Sequence, residues 1–177
     1  MKIINLHTFL LVIAASTLVA GCQKDQRTEV FEVPGVMDFT IDAGLNTFDT
    51  HFYILSPYIS AFPSRLEDFD LKPEDIISVE PKSAELASVF RDENLDFIER
   101  ISLRLFKLDD PQFNREIFYF DPVPFQKKTV LRPFPGLSNV KEIVENQFFG
   151  IELRLDYRLV PQRSIDMRLE FLLSARR

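Results

Sequence analysis

Histidine 51, in the run Phe48-Asp49-Thr50-His51-Phe52, is the only histidine beyond residue 7, so any Ser-His-Asp chemistry would have to use it. Asp49 or a more distant acid would orient the imidazole. No Gly-x-Ser-x-Gly turn accompanies it, and alternation with Phe52 along an apolar-rich run sets His51 on the solvent face of a strand. Asp92, Asn94 and Asp96 have the spacing of the first half of a calcium loop. The sixth position, which must turn sharply, is Phe97, and the twelfth, which should be a bidentate Glu, is Leu103. Acid-rich segments such as this one and Asp109-Asp110 therefore read as solvated turns, and no metal site or cofactor is expected. One histidine without a free thiolate starves a zinc site, and no glycine-rich phosphate loop occurs among five glycines, two of which mark expected turns at Pro34-Gly35 and Pro135-Gly136.

Two further features carry chemistry. Cys22 is the only thiol and follows Val19-Ala20-Gly21 at the end of an apolar segment that opens with Lys2. Such a segment is too short to span a bilayer and reads as an export signal. The second is a central Phe/Pro region, with Phe113, Phe118, Phe120, Phe125 and Phe134 among Pro122, Pro124, Pro133 and Pro135. These rings either fill the core between two sheets or form an apolar surface for a ligand or partner; buried Phe is common and exposed apolar patches are rare.

The Cys-terminated ending resembles the lipobox of bacterial lipoproteins. That resemblance implies diacylglyceryl transfer to the Cys22 thiol, cleavage before it, and acylation of the new amine. Cys22-Gln23-Lys24-Asp25 further resembles the start of the export signal of Bacteroidota surface lipoproteins, departing at Gln26, where a second acid belongs. Gln23 is not the aspartate that resembles an inner-membrane retention signal, so the expectation is an outer-membrane, lipid-anchored protein on the periplasmic face or cell surface. The expected organisation is residues 1–21 as signal peptide, 22–28 as lipidated tether and 29–177 as one domain.

Lys2 is the only formally charged residue ahead of Cys22, so the chain's net charge of −6 becomes about −7 after cleavage. An acidic domain without a Lys/Arg cluster repels phosphate backbones, which argues against nucleic acid as partner. With no polybasic face, acyl chains alone would hold it on the membrane.

The elements that must position these residues follow from periodicity. Ile151 to Leu159 and Ile165 to Leu173 alternate apolar with charged residues, each a strand with one face in water. The five residues between them fit a hairpin loop. Pairing Leu159 with Ile165 would oppose Arg158 to Asp166, Asp156 to Arg168 and Arg154 to Glu170, every pair opposite in sign. Further strands are expected at Val30–Val33, Met37–Ile41, Thr47–Leu55, Ile76–Val79, Ile101–Leu108, Glu116–Phe120 and Lys128–Arg132. Asn139 is an N-cap for a helix from Val140 to near Asn146, with Val140, Ile143 and Val144 inward. Ser83 to Val89 forms one more helical turn. Short strands interrupted by proline predict an all-β fold, an antiparallel two-sheet β-sandwich with one or two short helices. A transmembrane barrel would need Trp/Tyr girdles, and this chain has no Trp and four Tyr.

The reading that follows is a membrane-anchored, non-catalytic binding or assembly module of the cell envelope, with an envelope protein as possible partner. A lipid or apolar-ligand carrier is the alternative, and an envelope hydrolase using His51 or paired acids the third.

Overall fold

A computed structural model describes residues 27–177. The signal-like segment, Cys22 and the start of the tether lie outside the described residues. Among these the chain forms β1 (Glu29–Ile41), β2 (His51–Ile59), α1 (Phe62–Asp68), β3 (Ser78–Ser88), β4 (Ile98–Phe106), β5 (Asn114–Phe120), β6 (Val130–Leu131), β7 (Phe134–Pro135), α2 (Lys141–Val144), β8 (Phe148–Tyr157) and β9 (Ile165–Arg176). The strands make two antiparallel sheets, ordered β1-β9-β3-β6 and β2-β8-β4-β5-β7. The sandwich predicted from alternation is the fold observed. The central strands put Ile151, Leu153, Leu155, Met167, Leu169, Phe171 and Leu173 into one core, none more than 3% exposed.

The chain crosses between the sheets in a regular way. The segments joining β1 to β2, β8 to β9, β3 to β4 and β5 to β6 each leave one sheet and enter the other at the same rank in the strand order. All four lie at one end, as a row of arches, and each is tied to its neighbour. Gly44, at φ +80°, donates its N–H to the Pro161 carbonyl (2.8 Å). Arg158 N–H reaches the Phe97 carbonyl (2.9 Å), and Leu95 N–H the Lys128 carbonyl (2.8 Å). The Arg163 guanidinium adds an ion pair to Glu93 at 2.6 Å.

This topology overturns the predicted hairpin. β8 pairs with β2 and β4, whereas β9 pairs with β1 and β3 in the other sheet. The link between them spans the roughly 10 Å between sheets rather than the roughly 4.8 Å between neighbouring strands. Alternation requires only that one face meet the core, and two strands facing each other across it satisfy that as well as two lying side by side. The sign-matched pairs also form with other partners. Arg168 makes a two-pronged contact with Asp38 of β1 (2.7 and 2.8 Å), opposite it in register. Asp156 faces Arg100 of β4 (3.0 Å), and Arg154 reaches Glu152 on its own strand (2.6 Å).

Other expectations are corrected similarly. Ser83 to Val89 is no helical turn: Ser83–Ser88 belong to β3, held by β9 on one side and, at Leu86 and Ala87, by β6 on the other. Its helix-forming Ala, Glu and Leu lose to tertiary pairing. Pro34-Gly35 is no turn, because β1 runs through it as an edge strand, where a proline costs no inner ladder bond. Gly35 lies under the Phe171 ring, and a Cβ there would fall 2.1 Å from the ring. The helix expected after Asn139 is present as α2. Asn139 Oδ1 accepts from the Lys141 N–H (3.0 Å) and from the Val79 N–H (3.0 Å), and Val140, Ile143 and Val144 are fully buried. Helix α1 was not foreseen. Its signal was Pro63 in the first turn with Phe62 and Leu66 four apart, both of which are buried. The fold also takes in Thr28, whose backbone pairs with Arg177 (2.9 and 3.1 Å), and Arg27, paired with Glu80 at 2.5 Å.

Candidate functional site

His51 does not face solvent as alternation suggested. Its register partner is Leu155, a core residue, so His51 lies on the inner side of edge strand β2 where the core tapers toward the arches. The ring stacks on Tyr157 (4.9 Å), and Nε2 lies 2.9 Å from the Asn46 carbonyl. Phe52 and Ile54 take the outward positions instead, 54% and 59% exposed, with the Arg154 guanidinium 5.1 Å from the Phe52 ring centre. Among the described residues the imidazole meets the Asn46 carbonyl and the Tyr157 ring, and no serine or carboxylate hydrogen-bonds it. The neighbouring Tyr157 hydroxyl meets that of Tyr53 at 2.8 Å, and burial pushes its ionisation far above the ordinary phenol range.

Asp92 and Asn94 serve the arch that carries them. Ser88 Oγ donates to Asp92 Oδ1 (3.2 Å), and Asn94 Oδ1 accepts from the Lys128 N–H (3.2 Å) in the next arch. Among the described residues no three His, Cys, Asp or Glu side chains converge as metal ligands would.

The five phenylalanines separate into different environments. Phe118 is core, fully buried, 6.4 Å from the Phe171 ring across the sandwich. Phe113 lies at the β4–β5 turn between Lys107 and Arg115, each cation about 4.5 Å from the ring centre. Phe120 and Phe134 meet edge-on at 5.0 Å and form the floor of a groove of about 590 Å³ beside β5, β6 and β7. Phe125 is 66% exposed on the β5–β6 arch, with the Arg158 guanidinium 5.7 Å from its ring centre. The sequence could not separate these roles, because Phe118, Phe120 and Phe134 differ in tertiary placement and not in local pattern.

The row of arches shows what sequence reading missed. Each arch carries a large apolar side chain into water: Phe48 at 95% exposure, Leu159 and Val160, Phe90 at 83%, and Phe125. Exposed apolar residues scattered singly are ordinary, but here successive members of one laced row each present one. Between the β8–β9 and β3–β4 arches runs a groove of about 530 Å³ with Leu159, Val160 and Phe97 in its walls and the Arg163–Glu93 pair across it. Backbone bonds from arch to arch hold the loops, which reduces the ordering cost of binding there.

The outer face of the second sheet offers a contrasting surface. Arg100 pairs with Asp121 and Asp156, both at 3.0 Å, Arg154 with Glu152, and Arg104 donates to Asn114 (3.1 Å). Asp121 and Asp156 hold the Arg100 guanidinium even further above neutrality than usual. These cations are spent on their own neighbours, so the ladder presents little free charge. No family model matches this chain, and no curated protein does.

Proposed function

We propose that the protein is an acylated lipoprotein of the bacterial outer membrane, held by lipid on Cys22, and that it works as a non-catalytic binding module whose partner docks on the row of arches. The carrying observation is the exposed apolar side chain on every arch of a hydrogen-bonded row. The Cys22 ending supports the anchor. Its position supports the direction of binding. Arg27 is five residues after Cys22, a reach of at most about 18 Å, and lies at the end opposite the arches. The 13-residue β1 sets the arches roughly 40 Å further along. When the domain stands upright on its tether the arches point away from the anchoring membrane, and an envelope protein with an apolar surface is the partner that fits Phe48 and Phe90. The packed core supports binding at the surface over carriage of a lipid inside.

The test has two arms. Labelled fatty acid should mark the wild type and not Cys22→Ser, and the processed variant should leave the membrane fraction as a folded domain. A photo-crosslinking residue at position 48 or 90, in cells, should capture one discrete partner, whereas position 77, on the anchor end, should not. Unlabelled wild type would remove the anchor, and capture from position 77 alone would reverse the proposed direction.

A further inference from the structure

We infer that the groove beside β5, β6 and β7 is a binding site for a phosphate monoester that carries an apolar group. This goes beyond the docking reading: Lys127, Lys128 and Thr129 belong to the β5–β6 arch, but none of Phe48, Phe90, Phe125, Leu159 or Val160 lines the groove, and the site depends on neither acylation nor a protein partner.

The groove is lined by Phe120, Lys127, Lys128, Thr129, Arg132 and Phe134, with Val130 and Leu131 behind. Three cations and no carboxylate line it, in a chain of net charge −6. The cations are not equivalent. Arg132 is committed to Glu85 through Nε (2.8 Å) and a terminal nitrogen (2.7 Å), so its planar fork is occupied. The ammonium groups of Lys127 and Lys128 make no hydrogen bond or ion pair with any described residue, which leaves two positive charges without a counter-charge among the described residues. The sheet-face arginines differ, each being set against an acid or amide of its own.

Two compact ammonium charges match an anion of charge near −2, which a phosphate monoester supplies at neutral pH and a single carboxylate does not. The floor supplies the other half. Phe134, 54% exposed and backed edge-on by the largely buried Phe120, presents ring surface, so an alkyl or aryl group laid on it removes apolar area from water. The volume of about 590 Å³ lies within the range of small-molecule sites. The backbone of Lys128 is fixed on both sides by the neighbouring arch, donating its N–H to Asn94 Oδ1 (3.2 Å) and accepting from the Leu95 N–H (2.8 Å). The lysines are thus carried on a segment already positioned before a ligand arrives.

Titration calorimetry on the full chain bearing Cys22→Ser, so that no acyl chain competes, tests the site with octyl phosphate below its micelle concentration. Octyl phosphate should bind at least about tenfold more tightly than inorganic phosphate and than uncharged octyl glucoside. Lys127→Ala with Lys128→Ala should remove the preference for the charged head. Phe134→Ala should remove the preference over inorganic phosphate. All three side chains are exposed, so folding is unaffected and circular dichroism checks it. Equal binding of the charged and uncharged octyl compounds, or octyl phosphate affinity unchanged in the double lysine variant, would overturn the inference. Vesicles of phosphatidylcholine with and without phosphatidic acid identify the source. Lysine-dependent sedimentation with the acidic vesicles assigns a lipid headgroup, and binding to octyl phosphate alone assigns a soluble ester. Neither result depends on Cys22 or on crosslinking, so failure here leaves the docking proposal standing, and the converse holds.

Discussion

The two ends of the sandwich close the same core by opposite means. At the end where Thr28 and Arg177 pair, two short helices lie over the opening and turn their apolar residues inward. Phe62, Leu66, Val140, Ile143 and Val144 are all buried there, and Ser60 Oγ donates to the Val144 carbonyl to join the β2–α1 corner to α2. At the other end the arches bury Leu95, Phe97 and Val123 but direct Phe48, Phe90 and Phe125 into water. Backbone hydrogen bonds from arch to arch do there what apolar side chains do at the helical end. An end that is laced by its backbone can give up apolar side chains to recognition. The helical end spends Phe62, Leu66, Val140, Ile143 and Val144 on closure, and Ile59 and Ile77 remain exposed beside them.

The largest effect expected from that contrast is at the plug. Phe62→Ala should lower stability by about 3–5 kcal/mol, because the site is fully buried and packs against Phe31 at 5.7 Å. Denaturant titration measures it, and a loss under about 1 kcal/mol would show that α1 does not close the core. Next come the two asparagines that tie loops to neighbours. Asn139→Ala leaves the N–H of fully buried Val79 without its acceptor and should cost about 1–3 kcal/mol. Asn94→Ala frees the N–H of exposed Lys128, where water can take over, and should cost less. The reverse order would mean that the arch row, not the helical end, is the stability-limiting closure.

Removing apolar tips should do less still. Phe48→Ser combined with Phe90→Ser should change stability by no more than about 0.5 kcal/mol while abolishing capture by a photo-crosslinking residue at position 125. A large destabilisation would show that these rings pack in solution and are not offered to a partner. The smallest effect concerns acid. Hydrogen bonds from Lys82, then Ser174, hold Glu29 below the usual carboxylate range, and the Arg168 guanidinium does the same for Asp38. A lowered carboxyl stabilises the fold at pH values above its ordinary unfolded value and loses that contribution as pH falls through the folded value. The denaturation midpoint should therefore decline below about pH 4, with Glu29→Gln flattening the decline from the helical end and Asp38→Asn from the strand that enters the arches. A midpoint that rises on acidification would contradict both pairs.

What the sequence determined by itself is the set of surfaces. Alternation from Ile151 and from Ile165 named the core residues on both central strands, and Asn139 with Val140, Ile143 and Val144 specified α2 and its buried side, because these are properties of three to ten consecutive residues. Only the tertiary structure decided which strands lie side by side. A period of two states which face is apolar and is silent about whether the next strand pairs laterally or faces across the core, so an arch between β8 and β9 reads as a hairpin. The same limit hid the candidate sites. His51 turned inward because β2 lies beside β8, Phe118 and Phe134 parted because β5 is inside the sheet and β7 at its edge, and Phe48, Phe90 and Phe125 came to one end because four crossings stack in order. Each of these depends on contacts between residues far apart in the chain, and no local pattern carries them.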